Sequence, residues 1–508
     1  MMNSQNVLAD NEQLQKEAER VNVAIIGSGF SGTGLAIQLK RSGEESFVVL
    51  EREHSLGGTW RDNHYPGAAC DVQSHLYSYS FKPKPEWSRV YARQPEILEY
   101  LRDCATSEGV DRHMRFDSEV LGAAWIEESN EWLISTANGS YLARVLVTAS
   151  GHLSDPKYPN IPGIDDFKGA KFHSARWDHD TSLEGKRVGV IGTGASAIQI
   201  IPEVAKVAGK LTVFQRSAPY VVPRMDREYS TAEKNMFARL PHTAEKLRRD
   251  LFWAGEARFP QRRGIESFIS RVEGLALDHL ADQIKDPDLR AKLTPDYAIG
   301  CKRVLISNEY YPTYLRENVE LETQGIERIT ENAVVMKDGS KHDLDALIVS
   351  TGFETSDLPI SHRIHGTDGL LLADHWARGE QAYACSTVNG FPNLFIMNGP
   401  NSGLGAGSII FVIESQIDYI LGALDYLHQN GYTRMEVTQD AEMDFAAMID
   451  RNAQGTVWLE GGCKSWYVDE RNGRLSTIWP DFMSRFRDSN GVFRPEAYEV
   501  RSLAEQKV

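Results

Sequence analysis

Short apolar bursts, each stopped by glycine, set the frame of this chain. Val21-Asn22-Val23-Ala24-Ile25-Ile26 and Arg187-Val188-Gly189-Val190-Ile191 both run into a glycine cluster, and each cluster opens a helix-compatible stretch. Ala143-Arg144-Val145-Leu146-Val147-Thr148-Ala149 and Asp345-Ala346-Leu347-Ile348-Val349-Ser350-Thr351 end in the same way, at Gly151 and Gly352. Apolar runs of this length bounded by glycine predict buried strands, with helices after the first of each pair. The pattern occurs twice, so the expected fold is α/β, with two dinucleotide-binding (Rossmann-like) domains.

The intervening stretches divide the chain. Pro156, Pro159 and Pro162 mark a linker. From Pro219 to about Gly300 the chain is rich in Glu, Lys, Arg, Leu and Ala, and strand-like alternation nearly vanishes, which predicts a helical insertion. The expected layout is residues 1–150 and 353–508 for the first domain, 155–219 and 301–352 for the second, and 220–300 for the insertion. Leu404–Leu427 is apolar but interrupted by Glu414, Gln416 and Asp418, so it reads as a core helix. No run approaches the ~18 apolar residues of a membrane span.

Each glycine cluster has the spacing of a phosphate cradle: Gly27, Gly29 and Gly32 in the first, and Gly192, Gly194, Ser196 and Ala197 in the second. The first glycine makes the tight turn and the second lets backbone N–H groups approach a pyrophosphate. A small third residue lets helix and strand pack, and the helix N-terminus faces the phosphates. The residue at the end of the next strand separates the two sites. After the first cradle it is Glu51, a carboxylate that accepts from both hydroxyls of an unmodified ribose and repels a 2′-phosphate. After the second it is Arg216, followed by Ser217, a guanidinium and a hydroxyl suited to a 2′-phosphate. The first domain is therefore expected to hold FAD or NAD, and the second NADP.

Composition removes other classes. A net charge of −16 leaves no basic surplus for binding nucleic acid. The cysteines Cys70, Cys104, Cys301, Cys385 and Cys463 contain no CxxC pair, which argues against a zinc ribbon and against the redox dithiol of disulfide reductases. Their odd number and wide spacing suggest free thiols in a reducing cytoplasm. Met1–Arg20 is polar, without the apolar core of a signal peptide, and reads as a loose or helical extension.

Phe167-Lys168-Gly169-Ala170-Lys171-Phe172-His173-Ser174-Ala175-Arg176-Trp177-Asp178 lies just before the second cradle. It matches FxGxxxHxxxW followed by Pro or Asp, and by it the chain resembles the class B flavoprotein monooxygenases of Baeyer–Villiger type, from about residue 20 to the Trp466 region. The resemblance implies FAD and NADP(H) as cofactors, with O₂ and a small-molecule ketone as substrates. It implies insertion of one oxygen beside the carbonyl, through a C4a-peroxyflavin, to give an ester or lactone. Gly58-Thr59-Trp60 and Asp71, which follows Tyr65-Pro66-Gly67-Ala68, then fall on the flavin side. The family often has Arg where Ala69 stands here. Lys302-Arg303 resembles the segment with the family's essential arginine, with Asp71 placed to orient Arg303. A guanidinium keeps its proton at working pH, so it suits a developing oxyanion.

The resemblance also implies that Trp466, in Ser465-Trp466-Tyr467, closes over the nicotinamide; a core tryptophan is the plainer alternative. His173 reads as a linker histidine that couples domain motion to the cofactor and need not donate a proton. Three rival functions remain: a flavin-containing monooxygenase acting on soft nitrogen or sulfur, a non-catalytic NADP sensor, and an NADPH:acceptor reductase. Trp177-Asp178 and Arg303 favour the ketone enzyme over the first, and retention of both Arg303 and Asp71 counts against the sensor.

Overall fold

The computed structural model describes residues 11–502. Of the N-terminal extension, Asn11–Glu17 is a helix, and residues 1–10 lie outside the described residues. The first sheet is built from β1 (Glu19–Ile26), β2 (Phe47–Leu50), β3 (Met114–Arg115), β4 (Val120–Ile126), β5 (Glu131–Thr136) and β6 (Gly139–Thr148), with helix α1 (Phe30–Arg41) between β1 and β2. Its order is Ile364–His365, β4, β5, β6, β1, β2, β3, and Leu394–Ile396 adds to β6. β1 lies parallel to both β2 and β6, which places Ile25 beside Val49 and Val147. A parallel strand covered on both faces needs apolar residues throughout, which is why these bursts do not alternate. One face packs α1 and the helix Ile409–Asn430 through Leu35, Ile37 and Ile417, and the other packs Trp125, Trp132 and Trp376.

The second sheet contains β7 (Ala170–His173), β8 (Arg187–Ile191) and β9 (Lys210–Phe214), with helix α2 (Ala197–Val207) after β8. All five of its strands are parallel, in the order Val319–Glu322, β9, β8, Ala346–Val349, β7. The apolar runs noted in the sequence explain the equivalence of the two cradles. Gly27 has φ +104°, and a Cβ there would lie 2.8 Å from the Ala149 carbonyl oxygen; Gly192 has φ +112°, and its Cβ would lie 2.3 Å from that of Ser350. Each cradle thus turns against the end of the neighbouring parallel strand, where only glycine fits.

Between the paired strands Val221–Val222 and Leu305–Ile306 the chain is helical over Thr231–Arg239, Pro241–Glu256, Phe259–Arg262, Glu266–Gln283 and Pro287–Leu293. Ser230 and Glu233 form a capping box that satisfies the first turn of the leading helix. Phe259 packs on Phe482, with ring centroids 4.6 Å apart, and joins an apolar cluster with Trp458 and Tyr467. That contact ties the helical region to the C-terminal loops. The stretch Leu404–Leu427 contributes to the buried helix Ile409–Asn430. Among the described residues no helix is long and apolar enough to cross a membrane.

Candidate active site between the two nucleotide cradles

On the flavin side, Glu51 at the end of β2 is 4% exposed. Its Oε2 accepts from the Ser28 N–H (3.0 Å) and hydroxyl (2.6 Å), and Oε1 accepts from the Glu53 N–H (3.0 Å). Arg61 pairs with Oε1 at 3.1 Å and with Asp62 at 2.7 Å. Burial works against the Arg61 charge, but Asp62 and Glu51 outweigh it and raise the pKa. The carboxylate is thereby fixed at the mouth of the cradle. Gly29 and Gly58 face each other so closely that a Cβ on Gly58 would lie 3.0 Å from the Gly29 Cα, and a Cβ on Gly32 would strike the Gly27 carbonyl at 1.9 Å. Thr59 and Trp60 begin a short helix behind Gly58, and the Trp60 indole donates to the Tyr77 hydroxyl at 2.9 Å. Asn398 donates to the Ser31 hydroxyl at 2.8 Å, and its Oδ1 is buried without a partner. A side-chain-free floor beside a helix N-terminus and a fixed carboxylate fits an adenine dinucleotide.

Across the interface, Gly194 is open, with no atom near its Cβ position, and Ser196 precedes α2. Arg216 is exposed at the end of β9. Lys302 donates to the Ser217 hydroxyl at 2.9 Å and lies 4.6 Å from the centre of the Tyr297 ring. Burial, and then the neighbouring Arg216, lower the Lys302 pKa. Lys302 thus joins the Arg216–Ser217 segment, which puts two cations and a hydroxyl near one another, a grouping that suits a 2′-phosphate. The Tyr65–Ala69 stretch of the first domain docks here as well. The Ala69 N–H donates to Gln199 Oε1 at 2.8 Å, and burial pushes the Tyr65 hydroxyl up to about 12.

Asp71 follows that docked stretch, and Arg303 meets it. Nε donates to Oδ2 at 2.7 Å and Nη2 to Oδ1 at 2.8 Å, a two-pronged pair. The Arg303 side chain remains 46% exposed and that of Asp71 31%. The Asp71 charge raises the Arg303 pKa well above its usual value. Burial opposes the Asp71 charge, but Arg303 overcomes it and holds the carboxyl below its ordinary range.

Trp466 is 49% exposed, which excludes the core-tryptophan alternative; its ring meets that of Tyr467, 4.6 Å away. Cys301 and Cys463 form a disulfide across 162 residues, joining the Arg303 segment to the Trp466 loop. This corrects the expectation of unpaired thiols: wide sequence spacing says nothing of partners that tertiary packing brings together. Cys70, Cys104 and Cys385 are free and buried.

The linker motif lies where the chain passes between the domains. Phe167 and Trp177 are buried, Trp177 edge-on to Phe172 at 5.0 Å, and a Cβ on Gly169 would strike the Asp345 carbonyl at 2.6 Å. Asp178 closes a turn by accepting from the Asp180 N–H and the Thr181 hydroxyl. His173 is fully buried between Tyr158 and Phe353, and its Nδ1 accepts from the Ala175 N–H at 3.1 Å. Burial lowers its pKa to about 4, so the ring is neutral at working pH.

The chain matches the family described as flavin-binding monooxygenase-like over residues 20–247. It is 47% identical to a Baeyer–Villiger monooxygenase of Streptomyces coelicolor, over 99% of this chain and 96% of that protein. It is 43% identical to one from Pseudomonas aeruginosa, over 95% and 92%. The chain belongs to the Baeyer–Villiger monooxygenase family.

Solved structures agree with that membership. An oxidised steroid monooxygenase bound to NADP superposes with a TM-score of 0.82 at 30% identity, covering 95% of this chain and 99% of that one. A cyclohexanone monooxygenase from Rhodococcus sp. Phi1 bound to NADP+ gives 0.83 at 29%, covering 96% and 100%. Within this Baeyer–Villiger frame, sequence reasoning missed Gln199, Asn398 and the disulfide. Each acts through contacts between distant segments and has no local motif to mark it.

Proposed function

We propose that this flavin monooxygenase uses NADPH and O₂ to oxygenate a small ketone to the ester or lactone, with chemistry centred on Arg303. The reading rests on one observation: the Arg303 fork is held by Asp71 through two hydrogen bonds and still keeps exposed surface. Bound and reduced FAD supplies the activated oxygen. Arg303 donates to the carbonyl oxygen as it gains negative charge, and it does so without losing its own proton. Asp71 fixes the plane of the guanidinium, so little reorganisation is needed when charge develops. Glu51 and the Gly27–Gly32 cradle would hold FAD; the Gly192–Ser196 cradle would hold the pyrophosphate of NADPH, and Arg216, Ser217 and Lys302 its 2′-phosphate; Trp466 would cover the nicotinamide. His173, neutral and wedged between Tyr158 and Phe353, transmits movement between the domains rather than a proton.

The test is to incubate the purified protein with NADPH, O₂ and cyclic, linear and aryl ketones plus a thioether, and to weigh the products. Ketone masses raised by one oxygen, with NADPH consumed in equal amount, support the reading. Sulfoxide alone, or hydrogen peroxide alone, contradicts it.

A further inference from the structure

Arg262 is a buried cation with no counter-ion. It is 7% exposed, and no carboxylate of the described residues pairs with it. Nη2 donates to the Gly405 carbonyl at 3.0 Å, while Nη1 has no hydrogen-bond partner. Its neighbour Gln261, 3% exposed, also keeps an unpartnered Nε2. Native proteins rarely bury a donor, still less a charged one, without an acceptor. Two adjacent orphans on one short helix therefore point to an acceptor that comes from outside the chain.

The position of the pair tells what that acceptor belongs to. A Cβ on Gly300 would lie 2.8 Å from Arg262 Nη1 and 3.5 Å from Gln261 Nε2, so both donors abut the segment that carries Lys302 and Arg303. Tyr467 lies within electrostatic reach of both guanidinium groups. Arg262 lines a narrow cleft together with Gly405 and the apolar side chains of Phe259, Leu404, Phe482 and Met483. The cleft also contains Glu256 and Asp481, but each is engaged: Glu256 accepts from the Met483 and Ser484 N–H groups and the Ser484 hydroxyl, and Asp481 accepts from the Phe482 N–H. Burial, only partly offset by Tyr467, lowers the Arg262 pKa to about 10, so it stays charged at neutral pH.

We propose that Arg262, assisted by Gln261, anchors the far end of the substrate, and that the preferred ketones carry a carboxylate at the end of an apolar chain. This rests on the Baeyer–Villiger reading above. Arg303 serves the reacting carbonyl, and Arg262 sets which ketone is positioned there.

The test compares a linear methyl ketone, the same chain ended in a carboxylate, and the methyl ester of that acid. Binding is measured calorimetrically to the FAD-loaded enzyme, and kcat/KM with NADPH. The acid should bind about ten- to a hundredfold tighter than its ester, with the same ratio in kcat/KM. Arg262→Gln should bring that ratio close to one, and Arg262→Lys should keep part of it. Equal binding of acid and ester by the unaltered enzyme overturns the proposal, as does a preference that survives in Arg262→Gln. The unaltered enzyme decides even where a variant fails to fold. Were no ketone oxygenated at all, the reading of the reaction would fall, while the binding ratio would still judge Arg262.

Discussion

Arg303 and Asp71 stand 232 residues apart in the chain and meet through two parallel hydrogen bonds of 2.7 and 2.8 Å. One comes from the turn after the docked Tyr65–Ala69 stretch, the other from the segment that follows the helical region. Their pairing ties those two distant segments together.

Asp71→Asn should leave FAD bound and slow ketone oxygenation about ten- to a hundredfold, since the amide keeps the shape but loses the charge-assisted fork. The sign of the pH effect follows from the lowered Asp71 pKa. The ion pair is fully present above the unfolded value of about 3.9 and is lost only as pH falls through the lower folded value. Rate against pH should therefore show no limb from this carboxylate above about pH 4. Oxygenation by Asp71→Asn at the unaltered rate would end its orienting role.

Arg216→Ala should raise the KM for NADPH by about one to two decades and leave that for NADH nearly unchanged. Arg216 lies beside Ser217 and near Lys302, and in the proposed site only the phosphorylated ribose gains from it. Steady-state kinetics with both nucleotides checks this, and equal weakening of the two would remove Arg216 from the phosphate site.

His173 should make the fold acid-sensitive. Its folded pKa of about 4 lies below its unfolded value, so the neutral ring contributes stability above about pH 6.5, and that contribution is lost as pH falls towards 4. The shift corresponds to about 3 kcal/mol at most. Between pH 7 and 5 the thermal midpoint should fall more steeply for the unaltered protein than for His173→Gln. Parallel curves would mean that the ring does not titrate as its burial demands.

The disulfide is open to direct counting. Denatured without reductant, the protein should show three reactive thiols, Cys70, Cys104 and Cys385, and five after reduction. A bridge closing so long a loop contributes about 3–5 kcal/mol in the chain-entropy view, so reduction should lower the thermal midpoint. Five thiols before reduction would show that the Cys301–Cys463 link does not form.

Features carried by contiguous residues were legible in the sequence. The glycine turns at Gly27 and Gly192, Glu51 at the end of its strand and the linker motif follow from local spacing, and the paired endings at Gly151 and Gly352 gave the neighbouring strands. What escaped depends on approach through space. Nothing near Cys463 announces Cys301, and Arg262 looks like any solvated arginine in a charged helical stretch until its burial and missing partner are seen. Trp466 shows the converse: sequence left a core role open, and its exposure removed it.

Arg303 is the residue on which the proposed oxygenation depends most directly. Arg303→Ala should still bind FAD and NADPH, consume NADPH, and release hydrogen peroxide in place of ester, with oxygenation reduced by at least about two to three decades. Arg303→Lys should recover little, because an ammonium lacks the planar fork that Asp71 grips. The measurement is the ratio of ester formed to NADPH consumed, taken for the unaltered enzyme and both variants. A ratio near zero in Arg303→Ala is the expected result; a ratio near that of the unaltered enzyme would contradict the mechanism.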